Sequence, residues 1–118
     1  MNEGNLAHAR HQLRRALRVA PHHPRVLSLL AESYLREGAF YNPEYAGQLA
    51  LTACQSSGWV SPREMHVLAE AYRETGNKVA ALLVAAKARD VGSKLVGAYR
   101  DNYQLDRLIE DLSSGTQA

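Results

Sequence analysis

The chain has 118 residues, 46% of them hydrophobic and 22% charged, with a formal net charge of +2. This balance fits one folded domain with a modest core and excludes a disordered or collagen-like chain. Cys54 stands alone, which excludes an internal disulfide and a thiolate metal cluster; no apolar run is long enough for a membrane span, and no signal-peptide pattern opens the chain.

Apolar periodicity predicts helices over 5–20, 24–37, 42–56, 62–75, 77–91 and 95–112. The first carries Leu6, Ala9, Leu13, Ala16 and Leu17 on one face. Arg10, Arg14 and Arg18 recur every four residues along it and read as a solvated stripe. His8 and His11 lie one turn apart, but a transition metal wants three or four ligands and no third is in view, so solvent-facing histidines are the simpler reading. His22 and His23 fall in the turn after Pro21.

The second helix contains "LAESYLREG", Leu30 to Gly38, with Leu30, Ala31 and Tyr34 on one face and Gly38 as the stop. "AFYNPEY" follows. Asn42 is placed to cap the third helix, with Pro43 at its first position and Glu44 toward the positive end of its dipole. Phe40 and Tyr41 supply two aromatics, of which one is spare for contact unless both pack. Cys54 reads as a structural thiol, because no neighbouring base is evident. Trp59 lies in the next loop, where local packing competes with a contact role.

"SPRE" opens the fourth helix, with Ser61 and Glu64 spaced as a capping box and Val60 and Met65 as a hydrophobic staple. "LAEAYRETG", Leu68 to Gly76, then repeats the phrase of the second helix, with Leu, Ala, Glu, Tyr and Gly at the same offsets. Ala81, Ala85 and Ala88 in the fifth helix answer Ala46, Ala50 and Ala53 in the third; such small residues let antiparallel helices approach closely. The sixth helix shows Leu95, Tyr99, Tyr103, Leu105, Leu108, Ile109 and Leu112, and "SSGTQA" at 113–118 reads as a polar, disordered tail.

These offsets are those of tetratricopeptide repeats, which the chain resembles over residues 4–93. Leu27 and Met65 stand for the usual Trp, Ala31 and Ala69 for the usual Gly, and the closing Pro survives only as Pro21. The middle unit exceeds the family's roughly 34 residues, mostly at "AFYNPEY". The resemblance implies an all-α helical-repeat solenoid of antiparallel helix pairs within residues 1–112: a half repeat at 1–23, repeats at 24–60 and 61–94, and a capping helix at 95–112. It is similar to the C-terminal end of longer bacterial arrays. The first helix would then lack its partner, leaving an apolar face for the rest of a longer protein, another chain or a second copy to cover.

No phosphate loop, dinucleotide fingerprint, HExxH or CxxC occurs. Glu32 and Glu70 occupy equivalent repeat positions, which explains them without acid–base chemistry. The expectation is a non-catalytic module without cofactor or metal, binding a protein or peptide in a concave groove. On the repeat register the groove residues are Arg25, Ser28, Glu32, Leu35 and Arg36, then Arg63, His66, Glu70, Arg73 and Glu74. Their mixed charge calls for a partner carrying both signs. Glu32 and Glu70 stand where the family's carboxylate-gripping type has Asn, which argues against that mode. Two competing expectations are a structural spacer or self-association segment, and an anionic partner, nucleic acid or lipid, on the Arg stripe. The stripe lacks the interleaved aromatics of nucleic-acid modules. A soluble domain is expected, in the cytoplasm before the periplasm.

Overall fold

The structure, a computed structural model, describes residues 3–94 and 99–115. Six helices and no strand occur among them: α1 (Glu3–Val19), α2 (Pro24–Tyr34), α3 (Pro43–Ser57), α4 (Pro62–Glu74), α5 (Lys78–Ser93) and α6 (Asn102–Gly115). Each helix packs on its neighbours in sequence. In addition α2 meets α4 and α4 meets α6. Thus α2, α4 and α6 lie side by side, with α3 packed on α2 and α4, and α5 on α4 and α6.

Local chemistry sets most of the boundaries. Pro24, Pro43 and Pro62 begin α2, α3 and α4, where a missing N–H costs nothing. Asn42 caps α3 as expected, its Oδ1 accepting from the Tyr45 N–H at 3.1 Å. Gly58 closes α3 with φ 74°, and Gly76 follows α4 with φ 82°. Trp59 continues the turn at φ 61°, a rare conformation for a bulky residue, held by its N–H donating to the Cys54 carbonyl at 2.9 Å. Its ring is half-buried against the core, with Lys87 Nζ 5.9 Å from the ring centre.

Three local expectations fail. α2 ends at Tyr34 and not at 37, because the Tyr34 carbonyl accepts from the Asn42 N–H at 2.8 Å and folds the "AFYNPEY" turn back onto the helix end. Ser61 sits at the α4 N-cap but makes no side-chain cap bond, while Glu64 is buried with Oε2 unbonded among the described residues. No staple forms either, since Met65 is drawn into the core and Val60 is left 65% exposed.

The sixth helix begins at Asn102, not 95; Tyr99, Arg100 and Asp101 form a non-helical approach to it, and residues 95–98, Leu95 among them, lie outside the described residues. The same helix runs on through Ser113 and Ser114 to Gly115, into the expected tail, whose residues 116–118 are likewise outside. The physical reason for the late start is the docking of Tyr99 on α4, described below. Leu105, Leu108 and Leu112 are buried, as the periodicity required, whereas Tyr103 is exposed.

The interior is an alanine seam. Ala46, Ala50 and Ala53 of α3 and Ala81, Ala85 and Ala88 of α5 are all fully buried, in one core with Leu30, Met65, Leu68 and Leu105. Cys54 lies in this seam. Burial first, and the Glu64 carboxylate second, push its thiol from 9.0 up to about 12. The protonated form is therefore the native one. Its contribution to stability is full below pH 9.0 and falls away as pH climbs toward about 12. We expect Cys54 to resist a thiol-specific disulfide reagent at pH 8 and to react fully once urea unfolds the chain; rapid native reaction would contradict this placement.

Helix α1 is not held as a solvated stripe. Arg10 is only 7% exposed, its guanidinium 4.3 Å from the Tyr34 ring centre and 4.0 Å from that of Phe40. Its Nη2 donates to the Tyr34 hydroxyl at 2.6 Å, and Arg14 donates to the same oxygen. Of the three stripe residues only Arg18 is left exposed without such a role. Phe40 is accordingly not spare. Tyr41 donates to Glu74 Oε1 at 2.9 Å, tying the inserted turn to the end of α4. Leu6 is buried and Leu13 and Leu17 are half-buried against the core, whereas Ala16 is exposed, so α2 covers the apolar face of α1 only in part.

Candidate functional site

The layer of α2, α4 and α6 brings four of the expected groove residues into one cluster. Arg63 Nη2 on α4 donates to both Glu32 carboxylate oxygens on α2, at 3.2 and 3.0 Å. One turn along α4, His66 Nδ1 lies 2.9 Å from the Tyr99 hydroxyl, the two rings edge-to-face at 5.8 Å. His66 Nε2 lies 3.1 Å from Glu70 Oε1 yet outside hydrogen-bond geometry, so this contact acts as an ion pair only when the ring is protonated. Burial above all, and then the Asp101 carboxylate, raise the Tyr99 phenol well above its ordinary value, so the hydroxyl keeps its proton.

A cavity of about 210 Å³ opens here between α4 and the approach to α6, lined by Glu32, His66, Glu70, Tyr99, Asp101 and Gln104. A larger, mainly apolar cleft of about 410 Å³ runs between α1 and α2, lined by Leu6, Ala9, Leu13, Leu29, Glu32 and Arg36. Glu32 borders both. On the far side of Tyr99, a third hollow of about 420 Å³ collects Arg25, Arg63 and Arg100 with Asp101.

Two of the expected groove residues are displaced from that role. Ser28 has no exposed surface, and its Oγ has no hydrogen-bond partner among the described residues, because α2 turns it into the interior. His66 is only 7% exposed, because Tyr99 covers it; it works as a bracket between α4 and the α6 approach. Leu35 is half-buried at the end of α2 and packs on the core. Arg25, Arg36, Arg73 and Glu74 are exposed; Arg73 Nε sits 3.7 Å from Glu74 Oε2, and Glu74 is also engaged by Tyr41. His8 and His11 are exposed on α1, and no group of three or more His, Cys, Asp or Glu side chains among the described residues is arranged to hold a metal ion.

Tyr99, Asp101 and Gln104 join the site although periodicity assigned Tyr99 to a helix face and gave the other two no role. Gly92 of α5 lies against this segment. A Cβ there would stand 2.9 Å from Tyr99 Cβ, so this helical glycine marks the seat of the α6 approach. No described helix is long and apolar enough to cross a membrane. Comparison with protein-family models, with curated proteins and with solved structures gives no match.

Proposed function

We propose that the chain is a tetratricopeptide-like helical-repeat solenoid that binds a segment of a partner protein on the face of α2, α4 and the start of α6, by recognition alone and without a covalent step. In this reading α2–α3 and α4–α5 are two helix pairs, α1 is the second helix of an incomplete pair, and α6 closes the array. The observation that carries it is the position of Glu32, which borders an apolar cleft on one side and a charged cavity on the other. An amphipathic segment laid across this face would bury apolar residues between α1 and α2 and set polar ones against α4. The arginine-stripe alternative loses support, because Arg10 and Arg14 are spent on Tyr34.

The test is a selection of displayed peptides on the immobilised chain, followed by affinity measurements on Leu29→Glu and Arg36→Glu. Both residues line the cleft, and Arg36 is exposed, so its reversal leaves the fold intact. We expect the selected peptides to lose about tenfold or more in affinity for each variant. Peptides that bind both variants as well as the parent chain, or no enrichment over an unrelated helical protein, would overturn the groove and favour a spacer role.

A further inference from the structure

Both ends of the helix row are open, and the two ends match. Inside the row α3 packs on α2 and α4, and α5 on α4 and α6, whereas α1 meets only α2 among the described residues. Ala9, Leu13 and Ala16 of α1 repeat the spacing of Ala46, Ala50 and Ala53 in α3. The three α3 alanines have no exposed surface, while Ala9 and Leu13 are half-buried and Ala16 is exposed. Leu29, which lines the cleft between α1 and α2, is half-buried, where Val67 at the same position of α4 is 4% exposed. A further helix along α1 and α2 would cover α1 as α2 covers α3. The chain carries such a helix at its other end. α6 reads "LIEDL" at 108–112, where α2 reads "LAESY" at 30–34 and α4 "LAEAY" at 68–72. Ile109 is only half-buried, although Ala31 and Ala69 at its position have no exposed surface. No helix follows α6 among the described residues as α3 follows α2 and α5 follows α4.

We propose that the partner on this face is a second copy of the chain: α6 of one copy docks in the cleft between α1 and α2 of the next, and with α1 completes the helix pair that each end lacks. This names the partner in the binding reading above and rests on it. Charge supports this pairing of ends. α1 holds Arg10, Arg14, Arg15 and Arg18 against Glu3, while α6 holds Asp106, Glu110 and Asp111 against Arg107. Two α1 faces set together would oppose their exposed arginines, which disfavours a symmetric dimer through α1. Within the chain, α2 and α4 are tied by Glu32 and Arg63. Glu110 stands in α6 where Glu32 stands in α2, and Arg25 stands in α2 where Arg63 stands in α4. Both are exposed, and neither is held in an ion pair among the described residues. Glu110 of one copy therefore bonds Arg25 of the next. One exposed pair adds little affinity, so the apolar cover of Ile109, Leu13 and Leu29 holds the copies while the charges fix the register. The contact joins two different surfaces, so every product keeps a free end and growth stays open.

Analytical ultracentrifugation of the chain up to about 1 mM should give a weight-average mass that rises with concentration past that of a dimer. Arg25→Glu and Glu110→Arg each set like charges together at the junction and should weaken association about tenfold or more. The double variant swaps the two charges and should recover it. Both residues are exposed, so neither change disturbs the fold. A monomer throughout, a mass that stops at the dimer, or association that ignores the single reversals or is not restored in the double variant would overturn the stacking. The two readings fail separately. A monomeric chain whose selected peptides depend on Leu29 keeps the groove and dismisses the second copy. Stacking with these dependences and no enriched peptide keeps the second copy and dismisses a foreign partner.

Discussion

Arg10→Ala is expected to lower the stability of the fold by about 3 kcal/mol, a drop of about 10 °C in Tm for a domain of this size. The Arg10 guanidinium is stacked between two aromatic rings and bonded to the Tyr34 hydroxyl. Truncation removes both stacking contacts and leaves a gap under α1, whose only helix neighbour among the described residues is α2. An opposing effect must be weighed. Arg10 Nε is buried without a hydrogen-bond partner among the described residues, so deleting the charge also relieves a desolvation cost. Arg10→Met separates the two, because it keeps the packing stem and removes the charge; a loss of about 1 kcal/mol is expected. Tyr34→Phe should cost about 1–3 kcal/mol by leaving two guanidinium donors without their acceptor. Urea unfolding midpoints check all three. An Arg10→Ala midpoint equal to that of the parent chain would return Arg10 to the solvated stripe that its spacing implied.

Gly92→Val carries the second large effect, about 2 kcal/mol of destabilisation together with loss of the cavity beside α4. The added Cβ falls 2.9 Å from Tyr99 Cβ and 3.2 Å from Asn102 Oδ1. Cβ is fixed to the backbone, so relief requires the whole α6 approach to move away. The His66–Tyr99 bond then breaks, and α6 keeps its seat mainly through Leu105, Leu108 and Leu112 and the Arg89–Asp106 pair at 2.6 Å. Gly92→Ala is a sharper test of sign. Alanine favours a helix over glycine by about 1 kcal/mol, yet it brings the same Cβ, and the overlap is expected to win. Hydrogen exchange at Tyr99 and Asn102 reads the undocking directly. Unchanged protection in Gly92→Val would show that Tyr99 does not depend on this contact.

The two variants act on opposite ends of the proposed binding face. Arg10 secures one wall of the cleft between α1 and α2, while Gly92 seats the wall of the charged cavity. A partner that spans the face should therefore lose affinity in either variant, and a partner confined to one end should be affected by one alone.

Sequence by itself determined the number and order of the helices, the alanine seam and the cap at Asn42. Those features are written in spacings of one to four residues, and a helix puts such neighbours on one face whatever surrounds it. Even there the competition between local and distant forces showed at Glu64 and Met65, where core packing overrode the capping box and the staple. Only the tertiary structure decided which groove residues face outward. Ser28 and His66 lie at register positions as favourable as those of Glu32 and Glu70, yet one turns inward and the other is covered by Tyr99. It also decided that Arg10 is a packing residue. The bonds responsible join residues 24, 31 and 33 positions apart, Arg10 with Tyr34, Arg63 with Glu32 and His66 with Tyr99. Periodicity along one helix does not record what a second or third helix will lay against it, so these roles appear only once the helices have packed.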